Sequence, residues 1–155
     1  MTEKFKAYLE GITQLESILK GLSKAQLSYR IAENKWNINE IVAHLADTEI
    51  QAYTRFRSIL ADDTPFFINH NEDKWATLLD HKNTDVNESL SAFKMIRGMN
   101  DRLIQSLDDN KLQMEGLHSK RGRITILDLI EGHIRHLENH VGQMSRNIDA
   151  QKMAP

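Results

Sequence analysis

The 155-residue chain contains no cysteine. That excludes disulfides, thiolate metal ligands and nucleophilic thiol chemistry by the protein itself. Any metal it holds must be bound by histidine nitrogen or by oxygen. Only two prolines and seven glycines are present, so little interrupts long helices. Neither sign of charge is in excess: 20 Lys and Arg stand against 22 Asp and Glu, a net charge of −2. A general nucleic-acid binder is normally basic, so no nucleic-acid partner is expected. No stretch approaches the ~18 apolar residues of a membrane span, and the opening MTEKFKAYLE lacks the apolar core of a signal peptide. These absences predict a cytoplasmic protein with no membrane partner.

Apolar residues make up 40% of the chain and charged residues 27%, ordinary values for a soluble globular protein. The length predicts a single domain over residues 1–155. Apolar residues recur at helical spacing in four long stretches. The first is expected from Thr2 or Glu3 to Lys20, with Gly21 as its stop. Ser23 followed by Gln26 fits a capping box for a short helix. Asn37 with Glu40 opens a second long helix reaching about Leu60. A loop with Pro65 and a short helix from Glu72 follow. Asp85 with Glu88 opens a third long helix to about Leu107, carrying Leu90, Phe93, Ile96, Leu103, Ile104 and Leu107 on its core stripe. The stretch DDNKLQMEGLHSKRGR reads as polar turn, and no strand signal of any strength is present. Thr125 with Asp128 caps the last helix, expected to reach about Ile148, with Gln151 to Pro155 as a frayed tail. The economical architecture is all-α, a four-helix bundle with short accessory helices in its connections.

The last helix carries EGHIRHLENHVGQM, with His133, His136 and His140 inside an arc of roughly 60°. They border the apolar stripe of Ile126, Ile130, Ile134, Leu137, Val141, Met144 and Ile148. His136 and His140 are stacked at i and i+4, so two imidazoles can close on one ion. His44 borders the core face of the second long helix in the same way. With His136 and His140 it would make a three-nitrogen site that leaves a position for water or substrate, the arrangement of a catalytic metal centre. His-x-x-x-His also arises by chance, and histidines at a core edge often serve as hydrogen-bonded structural groups. Spacing alone therefore leaves open a non-catalytic bundle that acts in dimerisation or partner binding.

Other residues take their roles from position. Glu49 projects into the apolar arc, where a carboxylate needs a partner. An arginine from another helix is the default partner, and a catalytic base is the alternative. Gln143 is a candidate to orient the ligands, and His133 either does the same or is an alternative ligand. His70, His81 and His118 fall in expected loops and read as solvated. Trp36 and Trp75 read as core anchors. Arg121 and Arg123, ahead of the last helix, read by default as part of a solvated loop, with attraction of an anionic substrate as the alternative. No phosphate loop, dinucleotide-binding, Gly-x-Ser-x-Gly or His-Glu-x-x-His motif occurs, and the Glu-x-x-His sets of di-iron bundles are not completed.

Four stretches resemble the DinB-like superfamily, in particular its metal-dependent hydrolase branch. These are KWNINEIVAHLADTE at 35–49, NEDKWATLL at 71–79, HSKRGRITILDLI at 118–130 and HLENHVGQM at 136–144. They occur in the family's order and cover most of the chain. The resemblance implies a four-helix bundle, commonly a homodimer, with His44, His136 and His140 as ligands of a divalent transition metal (zinc, nickel or iron). It also implies a small-molecule substrate, handled by hydrolysis or by S-transfer from a low-molecular-weight thiol. At Asn139 the chain departs from relatives that carry a further histidine beside the last ligand.

Overall fold

Three reciprocal capping boxes set where the helices begin. Ser23 with Gln26, Asn37 with Glu40 and Thr125 with Asp128 each exchange side-chain and backbone hydrogen bonds. Each pair satisfies amide groups that a helix start otherwise leaves open. The computed structural model describes residues 5–154. Its helices are α1 (Lys6–Leu19), α2 (Lys24–Ser28), α3 (Ile38–Ala61), α4 (Glu72–Leu78), α5 (Val86–Gln105), α6 (Asp109–Leu112) and α7 (Ile126–Met153). The expected start of the first helix at Thr2 or Glu3 lies outside the described residues.

The four long helices α1, α3, α5 and α7 form the bundle. α1 packs on α7 and α5, and α3 packs on α5 and α7, so α1 and α3 occupy opposite corners. Gly11 lets α1 approach α7 closely: a Cβ there would stand 2.3 Å from Leu137 Cδ2. The core has two apolar clusters. One gathers Tyr8, Phe56, Ile59, Ile104, Ile126 and Ile130, and the other Leu15, Ile38, Ile41, Leu45, Phe93, Leu137 and Met144. Burying each of these large side chains contributes about 1.5–3 kcal/mol. Between the clusters, a buried polar layer of Glu49, Arg97 and Asn100 crosses the bundle.

Two expectations are corrected. The connections hold a small three-stranded sheet, β1 (Phe66–Phe67), β2 (Glu115–His118) and β3 (Gly122–Thr125). β1 runs parallel to β2, with Phe67 opposite His118, and β2 pairs antiparallel with β3, with Glu115 opposite Thr125. Strands of two to four residues are too short to develop a periodic signal, and the buried face of β2 is Gly116 and His118 rather than apolar side chains. The hairpin turns at Gly122, whose φ of 75° suits glycine. The second correction is at the C-terminus, where α7 runs through Gln151 to Met153 rather than fraying.

Candidate metal centre

His44 lies two turns into α3, a position set by the Asn37 cap. Asn37 Oδ1 accepts from the Glu40 amide at 2.9 Å, and Glu40 Oε2 accepts from the Asn37 amide at 2.8 Å. Arg30 then pairs with the other Glu40 oxygen at 2.6 Å. His136 and His140 come from the middle of α7, which packs directly beside α3. The side chains meet tip to tip. His136 Nε2 is 3.0 Å from His44 Nε2 and 3.1 Å from His140 Nε2. Nitrogens bound at about 2.0–2.1 Å to one tetrahedral ion stand roughly 3.3 Å apart. The ligand nitrogens of all three lie within 4.8 Å of one another, and the two short edges match a shared cation.

The donor chemistry fits as well. Gln143 Oε1 can only accept, and it lies 2.9 Å from His140 Nδ1. That nitrogen therefore carries the proton, which leaves a lone pair on His140 Nε2. His136 Nε2 faces two other Nε2 atoms and can offer a proton to one of them at most. A trio of neutral imidazoles in this arrangement opposes lone pairs, and a cation at their centre removes the conflict. Burial keeps the rings neutral. It depresses the pKa of His44 to about 2 and that of His136 to about 3, with repulsion among the histidines adding to the effect. His140 is lowered too, again by burial first. Neutral imidazole is the metal-binding form.

Trp36 closes one side. Its ring lies nearly parallel to His140, at 9°, and 4.9 Å from the His44 ring between centroids. Its carbonyl accepts from Asn147 Nδ2 of α7 at 3.0 Å, which fixes the tryptophan to the helix that carries two of the histidines. A cavity of about 190 Å³ opens beside His133 and His136, with Glu72 and Arg55 among its walls. Glu72 Oε2 is 3.6 Å from His44 Nε2.

Glu49 is 1% exposed and fully engaged below the histidines. It accepts from the Tyr8 hydroxyl, from Arg97 Nη1 at 2.8 Å and from Asn100 Nδ2 at 2.9 Å. Its arginine partner is on α5, as the default reading required. The nearest histidine is His133, whose Nδ1 is 4.0 Å from Glu49 Oε2. Burial lowers the His133 pKa to about 4, against the pull of Glu49. His133 thus sits between the polar layer and His136, with ring centroids 6.4 Å apart.

The sequence profile of the DinB superfamily matches residues 7–144. The chain belongs to the DinB superfamily. Among its relatives in that superfamily is YfiT of Bacillus subtilis (strain 168), named a putative metal-dependent hydrolase. It is 26% identical over 151 residues, covering 94% of this chain and 85% of the relative. A second protein with that description, from Oceanobacillus iheyensis, is 27% identical over 134 residues, covering 84% and 75%. The solved structure of YfiT, described as an unusual four-helix bundle, superposes with a TM-score of 0.87. It does so at 22% identity over 97% of this chain and 85% of that one. That likeness establishes the bundle.

Within this DinB-superfamily fold, several residues depart from their sequence reading. His81 and His118 are buried, not solvated. His81 Nε2 stands 3.0 Å from Asp47 Oδ2, while His118 Nδ1 accepts the Lys120 and Arg121 amides at 3.2 and 3.1 Å. Trp75 is no core anchor: it is 37% exposed and rests against the His70 ring. Arg123 faces away from the cavity and pairs with Glu115, whereas Arg121 lines the cavity. Sequence reasoning missed Arg97 and Asn100. The signal was available, because Phe93, Arg97, Asn100 and Ile104 share the spacing of the buried stripe of α5. Glu72 was missed because nothing local links it to His44.

Proposed function

We propose that this chain is a metal-dependent hydrolase whose divalent ion is held by His44, His136 and His140. The convergence of three Nε2 atoms at 3.0 and 3.1 Å, beside an open cavity, carries the reading. The descriptions of YfiT and its relatives support it. A divalent ion in such a site supplies Lewis acidity, which polarises a substrate oxygen and lowers the pKa of water.

The chain's own residues supply the rest. Gln143 holds the His140 tautomer, and Trp36 excludes water from one side of the trio. Glu72, 56% exposed on its side chain and 3.6 Å from His44 Nε2, is the carboxylate in position to take a proton from an attacking nucleophile. Glu49 serves instead as the anchor of the polar layer. With no cysteine in the chain, a small thiol brought in as a substrate is the second nucleophile to test, giving S-transfer in place of hydrolysis. Histidine ligation suits zinc, nickel and iron alike.

The test is elemental analysis of the untagged protein beside His44→Ala and the His136→Ala/His140→Ala double variant. Near-stoichiometric metal in the wild type, lost in both variants with helicity intact, is expected. Metal-dependent cleavage of p-nitrophenyl esters would then be assayed against conjugation of glutathione to chloro-dinitrobenzene. Wild-type protein that takes up neither zinc nor nickel would return the trio to a structural role.

A further inference from the structure

Gln51, Arg55, His70 and Arg121 face the cavity of about 190 Å³ beside His133 and His136. They bring donors without matching acceptors. Arg55 Nη2 donates to Gln51 Oε1 at 3.2 Å, which leaves the Gln51 amide nitrogen buried without a partner. His70 Nε2 is also buried without a partner. Among the described residues, neither Arg55 nor Arg121 forms an ion pair, whereas the buried Arg97 is matched to Glu49. The one carboxylate on the cavity wall, Glu72, lies toward His44. Two guanidiniums therefore face one carboxylate, in a chain whose net charge is −2.

The position of these cations is built, not incidental. Arg55 is half-buried on α3, with its guanidinium 5.8 Å from the Phe67 ring centroid. Arg121 sits in the β2–β3 turn, where His118 Nδ1 accepts its backbone amide at 3.1 Å and that of Lys120 at 3.2 Å. The turn is thereby fixed against the cavity mouth. Arg121 is close enough to depress the pKa of Arg55, after the larger effect of burial. Like charges held together around unmet donors call for an anion. Planar guanidiniums match the two oxygens of a carboxylate or phosphate, and an amide N–H adds a third contact.

We propose that Arg55 and Arg121, together with Gln51 and His70, form an oxyanion clamp that holds the carboxylate or phosphate of a small anionic substrate next to the histidine trio. The role as a substrate clamp rests on the trio being the reaction centre, but anion capture by the clamp does not require the metal. The cavity is smaller than the ~300–1,000 Å³ that encloses a drug-sized ligand. It accepts an acid group on a short arm, so the reacting bond lies within a few atoms of that group. Neutral and cationic substrates lack the matching charge.

The experiment is calorimetric titration of the full chain, stripped of metal by a chelator, with inorganic phosphate and separately with succinate at low ionic strength. Without metal, no anion can be captured by the ion itself. Saturable binding of at least one probe is expected, weakened by about tenfold or more in Arg55→Gln/Arg121→Gln. The exposed single change Arg121→Glu, which leaves α3 untouched, should weaken it as well. Arg102→Gln/Arg135→Gln removes two positive charges outside the cavity and should leave it unchanged. The stronger probe identifies phosphate or carboxylate as the preferred group. Absence of binding to the metal-free wild type would overturn the clamp, as would equal binding by the cavity variants or equal loss in the control. The same titrations on zinc-loaded protein separate the two readings, because failure to load zinc removes the metal centre without touching the clamp result.

Discussion

Gln143 Oε1 accepts the Nδ1 proton of His140 at 2.9 Å from one turn further along α7. This contact selects the tautomer that turns the His140 Nε2 lone pair toward His44 and His136. Orienting partners of this kind typically change metal affinity by 10–100-fold. Gln143→Leu, which keeps the bulk and removes the acceptor, should weaken zinc binding by about that factor, with helicity unchanged. Competition against a chelator of known affinity would show it. Unchanged affinity would mean that the tautomer is set elsewhere.

The histidine pKa values predict how acid acts on the metal-free protein. In the folded chain burial lowers His44 to about 2, His136 to about 3 and His133 to about 4, whereas unfolded histidine titrates near ~6.5. The unfolded state therefore binds more protons below that value, and stability is full above it and lost as the pH falls. Each such histidine costs up to about 1.4 kcal/mol per pH unit between its unfolded and folded pKa. The Tm of the metal-free protein should drop steeply from pH 6.5 to pH 4, and less so in a His44→Phe variant. Bound metal should flatten the profile, because it stabilises the folded state by mass action. A Tm of the metal-free protein that does not fall with pH would contradict the neutral, buried state of these rings.

Below the site, Glu49 and Arg97 form an ion pair at 2.8 Å, each 1% exposed. Removing one partner leaves the other charge buried, which typically costs about 3–5 kcal/mol. Glu49→Ala should therefore unfold at much lower urea. The double change Glu49→Leu/Arg97→Met removes both charges and should recover most of the loss. Urea titration of the wild type, both single variants and the double variant closes the cycle. A double variant as weak as the sum of the singles would show that the polar layer is held by more than this pair.

What was legible in the sequence follows from range. Capping boxes at Ser23, Asn37 and Thr125 need only residues three apart, and all three form. His136 and His140 share a helix face, and with the family segments around His44 the trio could be named before any coordinates. The hairpin was hidden because its buried positions are Gly116 and His118, and Gly116 packs where a Cβ would meet the Phe67 ring at 2.5 Å. Arg97 and Asn100 were hidden because polar residues on an apolar stripe read as interruptions until Glu49 is placed opposite them. Glu72 and Arg55 join the site through packing between α3 and the loops after it. No local pattern encodes that packing. The extra turn of α7 has a local cue, the exposed i,i+3 pair of Asp149 and Lys152 at 3.5 Å, but it lies beyond the last apolar stripe residue.

The division of labour between two carboxylates gives the sharpest test of the chemistry. Glu72 stands at the cavity, 3.6 Å from His44 Nε2, while Glu49 has its oxygens occupied by Tyr8, Arg97 and Asn100. A positioned proton acceptor is worth typically ~10²–10⁴-fold in rate. Glu72→Gln should therefore lower kcat for hydrolysis of an anionic p-nitrophenyl ester by about that factor, with metal content and Tm near wild type. A merely structural change would instead lower Tm and metal content along with the rate. Glu49→Gln should act the other way round, lowering Tm while sparing kcat. Loss of kcat at intact Tm in Glu49→Gln but not in Glu72→Gln would exchange the two assignments. The proton would then have to travel through His133, whose Nδ1 lies 4.0 Å from Glu49 Oε2.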